Sequence, residues 1–183
     1  MTNQKILVTA ASRHGATTEI ADAIAAVLRD RGHEVQVQLP DQVLSFAEFP
    51  VVVLGSAVYL GRWLKPVTRL VDRFVNDLAT RTVYLFSTGP VGDPPFPSTP
   101  PADLATLMAK TNARGHTTFA GRLSPEGLGT GERVAVVLSH ASYGDFRDWT
   151  AVAAWANGIA DELAQIPAPA DPDALHPPSR QAG

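Results

Sequence analysis

The chain has 183 residues, 45% of them hydrophobic, a size and composition that suit one domain around one core. Its 18 acidic and 15 basic residues leave a net charge of −3, which excludes the basic footprint that nucleic-acid or anionic-membrane binding needs. Cysteine is absent, so disulfides, thiolate metal sites, iron–sulfur ligation and dithiol chemistry are excluded too, and any redox chemistry needs a borrowed cofactor.

Residues 1–5 lead into a short strand-like segment with no signal-peptide core and no apolar stretch of membrane length. A cytoplasmic protein without a membrane span is therefore expected. Short apolar runs then alternate with amphipathic stretches. Lys5–Thr9, Val51–Gly55 and Thr82–Phe86 are nearly continuous in apolar residues, as strands buried on both faces of a parallel sheet are, whereas Glu34–Gln38 alternates and reads as an edge strand. Between the first two strands, Ile20, Ile24, Val27 and Leu28 recur at helical spacing, and Gly32 supplies a stop, which completes one βαβ unit. Leu64, Val67, Leu70, Val71, Phe74, Val75 and Leu78 form one stripe and predict a helix over 64–78. Ala102–Arg114 and Val152–Leu163 are the remaining predicted helices. His116–Gly121 predicts the next strand, and Arg133–Leu138 fits either a strand or a buried helical turn.

Strands that alternate with helices imply right-handed crossovers and an α/β doubly wound parallel sheet, with helices on both faces and ligands beyond the carboxyl ends of the strands. One domain is expected over residues 1–165. The remainder, 166–183, carries Pro167, Pro169, Pro172, Pro177 and Pro178 among small and polar residues, which predicts a disordered tail.

The first strand runs into Thr9-Ala10-Ala11-Ser12-Arg13-His14-Gly15-Ala16-Thr17, a turn of hydroxyls and small residues that opens a helix. Such a turn suits a phosphate. Amide N–H groups at a helix start point outward, the helix dipole favours an anion there, Ser12 and Thr17 add hydroxyl donors, and Gly15 lets the backbone approach closely. Arg13 or His14 adds charge at the rim. Ordinary helix capping by Ser and Thr explains the same spacing without a ligand. Neither G-x-G-x-x-G nor G-x-x-x-x-G-K-[ST] occurs, so dinucleotide and ATP folds are disfavoured.

Ser12-x-x-Gly15-x-Thr17-x-x-x-Ala21-x-x-Ile24 resembles the FMN-phosphate signature of the flavodoxin family. The local Ser-Arg-His-Gly-Ala-Thr is similar to the branch that includes quinone-dependent protoporphyrinogen oxidases. Where the family has an apolar residue and an aromatic late in the first strand, this chain has Thr9 and Ala10. The resemblance implies a five-stranded sheet of order 2-1-3-4-5 and noncovalent FMN, with a related deazaflavin left open. It places the phosphate on Ser12, Arg13, His14, Gly15, Ala16 and Thr17. It places the ring against Ala57, Val58 and Tyr59 after the third strand, and against Thr88, Gly89, Pro90, Val91 and Gly92 after the fourth. Tyr59 is the expected stacking residue. Trp63 reads better as a helix-start anchor than as a flavin contact. The 87–95 stretch also reads as a plain surface loop. Asp148-Trp149 before the last helix again resembles the protoporphyrinogen-oxidase branch, although a carboxylate at a helix start has a structural role by itself.

The implied function is transfer of electrons or hydride through FMN, with a redox partner or a small substrate, a quinone or porphyrinogen among them. The short, glycine-rich 120–132 stretch argues against membrane association. No catalytic acid or base is assigned, and five separated histidines give no metal site. A cofactor-free interaction module is the alternative of another class. A receiver domain, which shares the strand order, is disfavoured because Thr9-Ala10-Ala11-Ser12, Gly55-Ser56 and Gly121-Arg122 stand where its acidic cluster, acceptor aspartate and lysine belong. Oligomeric state is not encoded in any motif.

Overall fold

A computed structural model of the chain describes residues 3–89, 99–125, 129 and 143–165. Strand β1 (Lys5–Ala11) shows why a parallel sheet forms here, because all but its first residue are buried. Ile6, Val8 and Ala10 enter one core, and Leu7 and Ala11 enter the other, so alternation sends apolar side chains to both faces at once. Strands β2 (Glu34–Gln38), β3 (Val51–Tyr59), β5 (Thr82–Thr88) and β6 (Gly115–Phe119) pair in parallel with β1 in the order β2-β1-β3-β5-β6. A two-residue strand β4 (Arg62–Trp63) folds back antiparallel on β3. With this short strand left out of the numbering, the order is the expected 2-1-3-4-5.

Helices α1 (Ala16–Asp30) and α5 (Trp149–Gln165) cover the first face, where Ile20, Ile24 and Leu28 meet Val152, Ala156, Ile159 and Leu163. Gly55 is needed on this side because a Cβ there would lie 2.1 Å from Phe86 Cζ. The Phe86 ring closes an edge-on cluster with Phe119 and Trp155. The opposite face is covered by α2 (Lys65–Arg73), α3 (Val75–Ala79) and α4 (Leu104–Thr111).

The single helix expected over 64–78 is two. Phe74, at φ −119°, leaves the helical region between α2 and α3, and its ring packs edge-on against Phe46 with centroids 5.2 Å apart. A tertiary aromatic contact thus overrides an unbroken apolar stripe. A second short antiparallel pair, β7 (Arg122–Leu123) with β8 (Gly144–Asp145), carries no strand signal in the sequence. The 133–138 segment and the tail at 166–183 lie outside the described residues. Among the described residues no helix is long and apolar enough to cross a membrane.

Gly55→Ala tests the close approach on the first face. Overpacking against a fully buried ring is expected to cost about 1–3 kcal/mol, read as a lower urea midpoint with an unchanged slope.

Candidate functional site

The carboxyl ends of β1, β3 and β5 stand side by side in register, Ala11 beside Ser56 and Ser56 beside Ser87. The loops that leave them are therefore neighbours, and they contain the residues singled out in the sequence. Ser12, Arg13 and His14 bend away from β1, and Gly15 precedes α1 at φ +85°, a left-handed conformation that a side chain would strain. With glycine in that place, α1 has no side-chain cap of its own. The Thr17 amide donates to Ser12 Oγ at 3.3 Å, a long bond from five residues upstream. Capping by Ser12 thus covers one first-turn amide. Those of Ala16 and Thr18 receive no side-chain acceptor among the described residues, which leaves outward N–H groups at the positive end of a helix dipole.

Thr17 is buried, and its hydroxyl meets that of Thr88 at 2.6 Å, a bond that ties the first loop to the end of β5. Two hydroxyls that share one hydrogen bond keep one O–H for another acceptor. Thr9, where an apolar residue was expected from the family pattern, is fully buried with its hydroxyl unpartnered among the described residues.

The β3–β4 hairpin forms the adjacent wall. Leu60 and Gly61, at φ +50° and +71°, make its two-residue loop, with positive φ at both central positions as the right-handed twist of a tight hairpin favours. Leucine is strained there, and at 85% exposure its side chain gains little from burial. Tyr59, at 37% exposure, stands beside it, and the Arg13 guanidinium lies over its ring, 4.3 Å from the centroid. Three bonds lock the hairpin base. The Trp63 amide donates to the Asp103 carboxylate at 3.1 Å, the Leu64 amide donates to Ser56 Oγ at 2.9 Å, and Trp63 Nε1 donates to Ser87 Oγ at 2.8 Å. Ser87 Oγ in turn meets His116 Nε2 at 2.8 Å. Indole N–H is only a donor, so Ser87 Oγ accepts from Trp63, while the direction of its bond to His116 follows the imidazole tautomer; burial pushes the His116 pKa down and favours the neutral ring. Trp63 is the buried anchor that its place at a helix start predicts.

Charge beside the first loop is set by long-range pairs. The Glu19 carboxylate would stand 3.9 Å from a Cβ on Gly15, a position that opposes an anion at the turn. Arg147 Nη1 at 2.6 Å and Arg122 Nη2 at 2.9 Å neutralise it. Arg147 also donates to Asp145 at 2.6 Å, its side chain is only 4% exposed, and its guanidinium covers the Trp149 ring at 4.5 Å. Trp149 is thus half exposed under an arginine and does not pack beneath α5, whereas Asp148 caps that helix by accepting from the Ala151 amide at 3.0 Å. The Arg147 hydrogen bond holds the Glu19 carboxyl below its ordinary range and does the same for Asp145.

The structure therefore brings Ser12, Arg13, His14, Gly15, Ala16, Thr17, Ala57, Val58, Tyr59, Thr88 and Gly89 to one end of the sheet. Pro90, Val91 and Gly92 lie outside the described residues. No group of three His, Asp or Glu gathers to hold a metal among the described residues. The model of the flavodoxin domain family matches residues 7–148. The chain belongs to the flavodoxin domain family. No curated protein matches it. Among solved structures, a flavodoxin from the domain Archaea superposes at a TM-score of 0.63 with 15% identity, covering 87% of this chain and 99% of its own. Oxidised flavodoxin 2 from Bacillus cereus gives 0.57 with 21% identity, covering 86% and 99%. Rubredoxin oxygen:oxidoreductase from Desulfovibrio gigas gives 0.61 with 13% identity, covering 87% of this chain and 36% of that one. The sheet order and the helices on both faces are those of the flavodoxin fold.

Glu19, Arg122, Arg147, Ser87 and His116 went unnoticed in the sequence as site-supporting residues. Arg147→Met is expected to cost about 1–3 kcal/mol at neutral pH, since it strips charge-assisted hydrogen bonds from two carboxylates. Because both carboxyls are depressed in the folded state, this pairing is present above the ordinary carboxylate range and is lost as pH falls through their lowered values. The difference in melting temperature between wild type and Arg147→Met should accordingly shrink once the pH drops below about 4.

Proposed function

We propose that this chain holds one FMN noncovalently and transfers electrons or hydride through it. The observation that carries the reading is the open amino terminus of α1, capped by no side chain of its own, placed beside the Tyr59 hairpin at the end of the sheet. The Ser12–Thr17 turn would hold the phosphate through backbone N–H groups and the remaining hydroxyl proton of the Thr17–Thr88 pair. Ala57, Val58, Tyr59, Thr88 and Gly89 would line the ring. The Cβ of Val58 stands 3.0 Å from where a Gly89 Cβ would be, so these two walls are in contact at their base and any planar group must enter above it. FMN supplies reversible one- and two-electron chemistry when bound. The protein's share is to bind and orient it, and no side chain needs to move a proton.

A dedicated oxidoreductase is favoured over a pure electron shuttle, because a net charge of −3 with 12 arginines gives a weak acidic docking face. A narrower reading, oxidation of protoporphyrinogen with a quinone as acceptor, rests only on the resemblance of Ser12–Thr17 and of the Asp148-Trp149 pair to that branch. A cytoplasmic setting is part of the proposal.

An absorption spectrum after loading with FMN and removing the excess tests the central claim. Retained flavin is expected, and a colourless protein would move the weight to a cofactor-free interaction module. Thr17→Val should keep the fold and lower FMN affinity by about tenfold, the worth of one hydrogen bond to a charged acceptor, as read by flavin fluorescence titration. Turnover of porphyrinogen with quinone by the loaded protein tests the narrower reading.

A further inference from the structure

Nearly every cation of this chain has a partner. Among the described arginines and lysines, only Arg62, Lys65 and Arg69 have side chains that meet no acceptor, carboxylate or aromatic ring, and all three are exposed. They also lie together. Arg62 stands directly across the hairpin from Tyr59, and α2 begins just after β4 ends. Lys65, Arg69 and Arg73 then follow one another at intervals of four residues, a strip about 12 Å long at 1.5 Å per residue. The one carboxylate in this stretch, Asp72, is taken by Lys110 at 2.6 Å. Residues 60–73 thus carry four basic side chains against one acidic, a local charge of +3, whereas the other 11 basic and 17 acidic residues of the chain leave −6. Resting on the FMN reading above, we infer that this strip and the Leu60 tip dock a small acidic electron-carrier protein against the hairpin that walls the site.

At each of these positions the local sequence works against stability. Cations one turn apart on a helix repel, and a lysine in the first turn opposes the helix dipole. α2 has neither an acidic residue in that turn nor a side-chain cap to offset it. Leu60 sits at φ +50° with its side chain 85% exposed, where asparagine or glycine would be unstrained. Unfavourable local choices gathered at neighbouring positions mark a surface shaped for contact rather than for folding. An apolar knob that a partner covers, with charges left at the rim, is the usual layout of a protein interface. Lipid fits less well, because one leucine buries little in a bilayer and the −6 on the rest of the chain opposes an anionic surface. A carrier with carboxylates around its redox centre is instead steered to the strip, which brings that centre beside the Tyr59 hairpin. Each encounter oxidises the carrier and reduces FMN by one electron, so two encounters with protons from water complete a two-electron reduction.

The probe is an acidic plant-type [2Fe–2S] ferredoxin, used with and without flavin on the protein. Without flavin, added oxidised ferredoxin should shift or broaden the amide NMR signals of residues 60–73 and leave those of α5, in the opposite layer, unchanged; salt at about 0.5 M should abolish the effect. With FMN loaded, reduction of the flavin by reduced ferredoxin, followed by stopped flow, should slow as salt rises. The combined variant Arg62→Gln, Lys65→Gln, Arg69→Gln should retain FMN affinity, lower that rate by about tenfold at low salt and converge with wild type at high salt. Leu60→Asn should raise the melting temperature by about 2–4 °C, as strain in the hairpin loop is relieved, while it weakens ferredoxin binding about threefold. Amide changes that are absent or map elsewhere, or a combined variant that is reduced as fast as wild type at low salt, would overturn the inference. So would binding of phosphatidylserine vesicles, or self-association on dilution series, that the combined variant abolishes, since the strip would then serve a membrane or a second copy. A wild-type protein that retains no FMN yet binds ferredoxin through residues 60–73 would sink the FMN reading and leave the docking surface standing.

Discussion

A parallel sheet covered by helices on both faces has only its two ends open to water, and nearly everything chemical in this chain follows from that constraint. Backbone groups inside the sheet are satisfied by the ladder, and side chains on both faces are needed for burial. Polar residues able to meet a ligand are confined to where the strands stop. β1, β3 and β5 run in one direction and sit next to each other, so their last residues are Ala11, Tyr59 and Thr88 and their loops converge. The polar residues nearest that end, Ser56, Ser87 and Thr88, are buried, and each bonds a neighbouring loop or strand, which stiffens the end without exposing it.

Rigidity and openness are divided between the walls. The hairpin that carries Tyr59 is tied at its base by Asp103, Ser56 and Ser87, and Gly61 adds a fourth tie by accepting from the Ala102 amide at 2.8 Å. The α1 turn is shaped by a left-handed glycine, with Ser12 Oγ accepting one long bond from the Thr17 amide and the Thr17 hydroxyl tied to Thr88 of β5. An aromatic wall must be fixed to present a face, whereas an anion-binding turn has to keep donors unsatisfied until an anion arrives. The strain stored at Leu60 belongs to the fixed wall, where the surrounding bonds over-determine it.

The fold was legible in the sequence because its signals are local. Apolar runs such as Val51–Leu54 mark strands buried on both faces, and the Ile20–Ile24–Leu28 stripe marks a helix that packs on them. The Ser12–Thr17 turn was equally legible, since its glycine and hydroxyls are contiguous. What escaped depends on partners far apart in the chain. Glu19 meets Arg122 and Arg147 across 103 and 128 residues, and Trp63 meets Ser87 across 24, so no window of sequence holds both ends. The split at Phe74 escaped for a related reason, because the Phe46 ring that draws it out of the helix lies in another loop. Two-residue strands such as β4 and β7 are too short for any periodicity to declare.

Helix α1 has its open end at the candidate site and its apolar flank against α5, and at its far end Arg31 donates to Asn157 and pairs with Asp161. One rod therefore spans the whole first layer. An anion that fastens the near end does so only when the rod is formed, so occupancy adds directly to the free energy that keeps this layer together, in proportion to the logarithm of ligand concentration over its dissociation constant. The molecule is consequently its own thermometer for cognate ligands: heat resistance, a bulk property, reports on what sits in a turn of six residues.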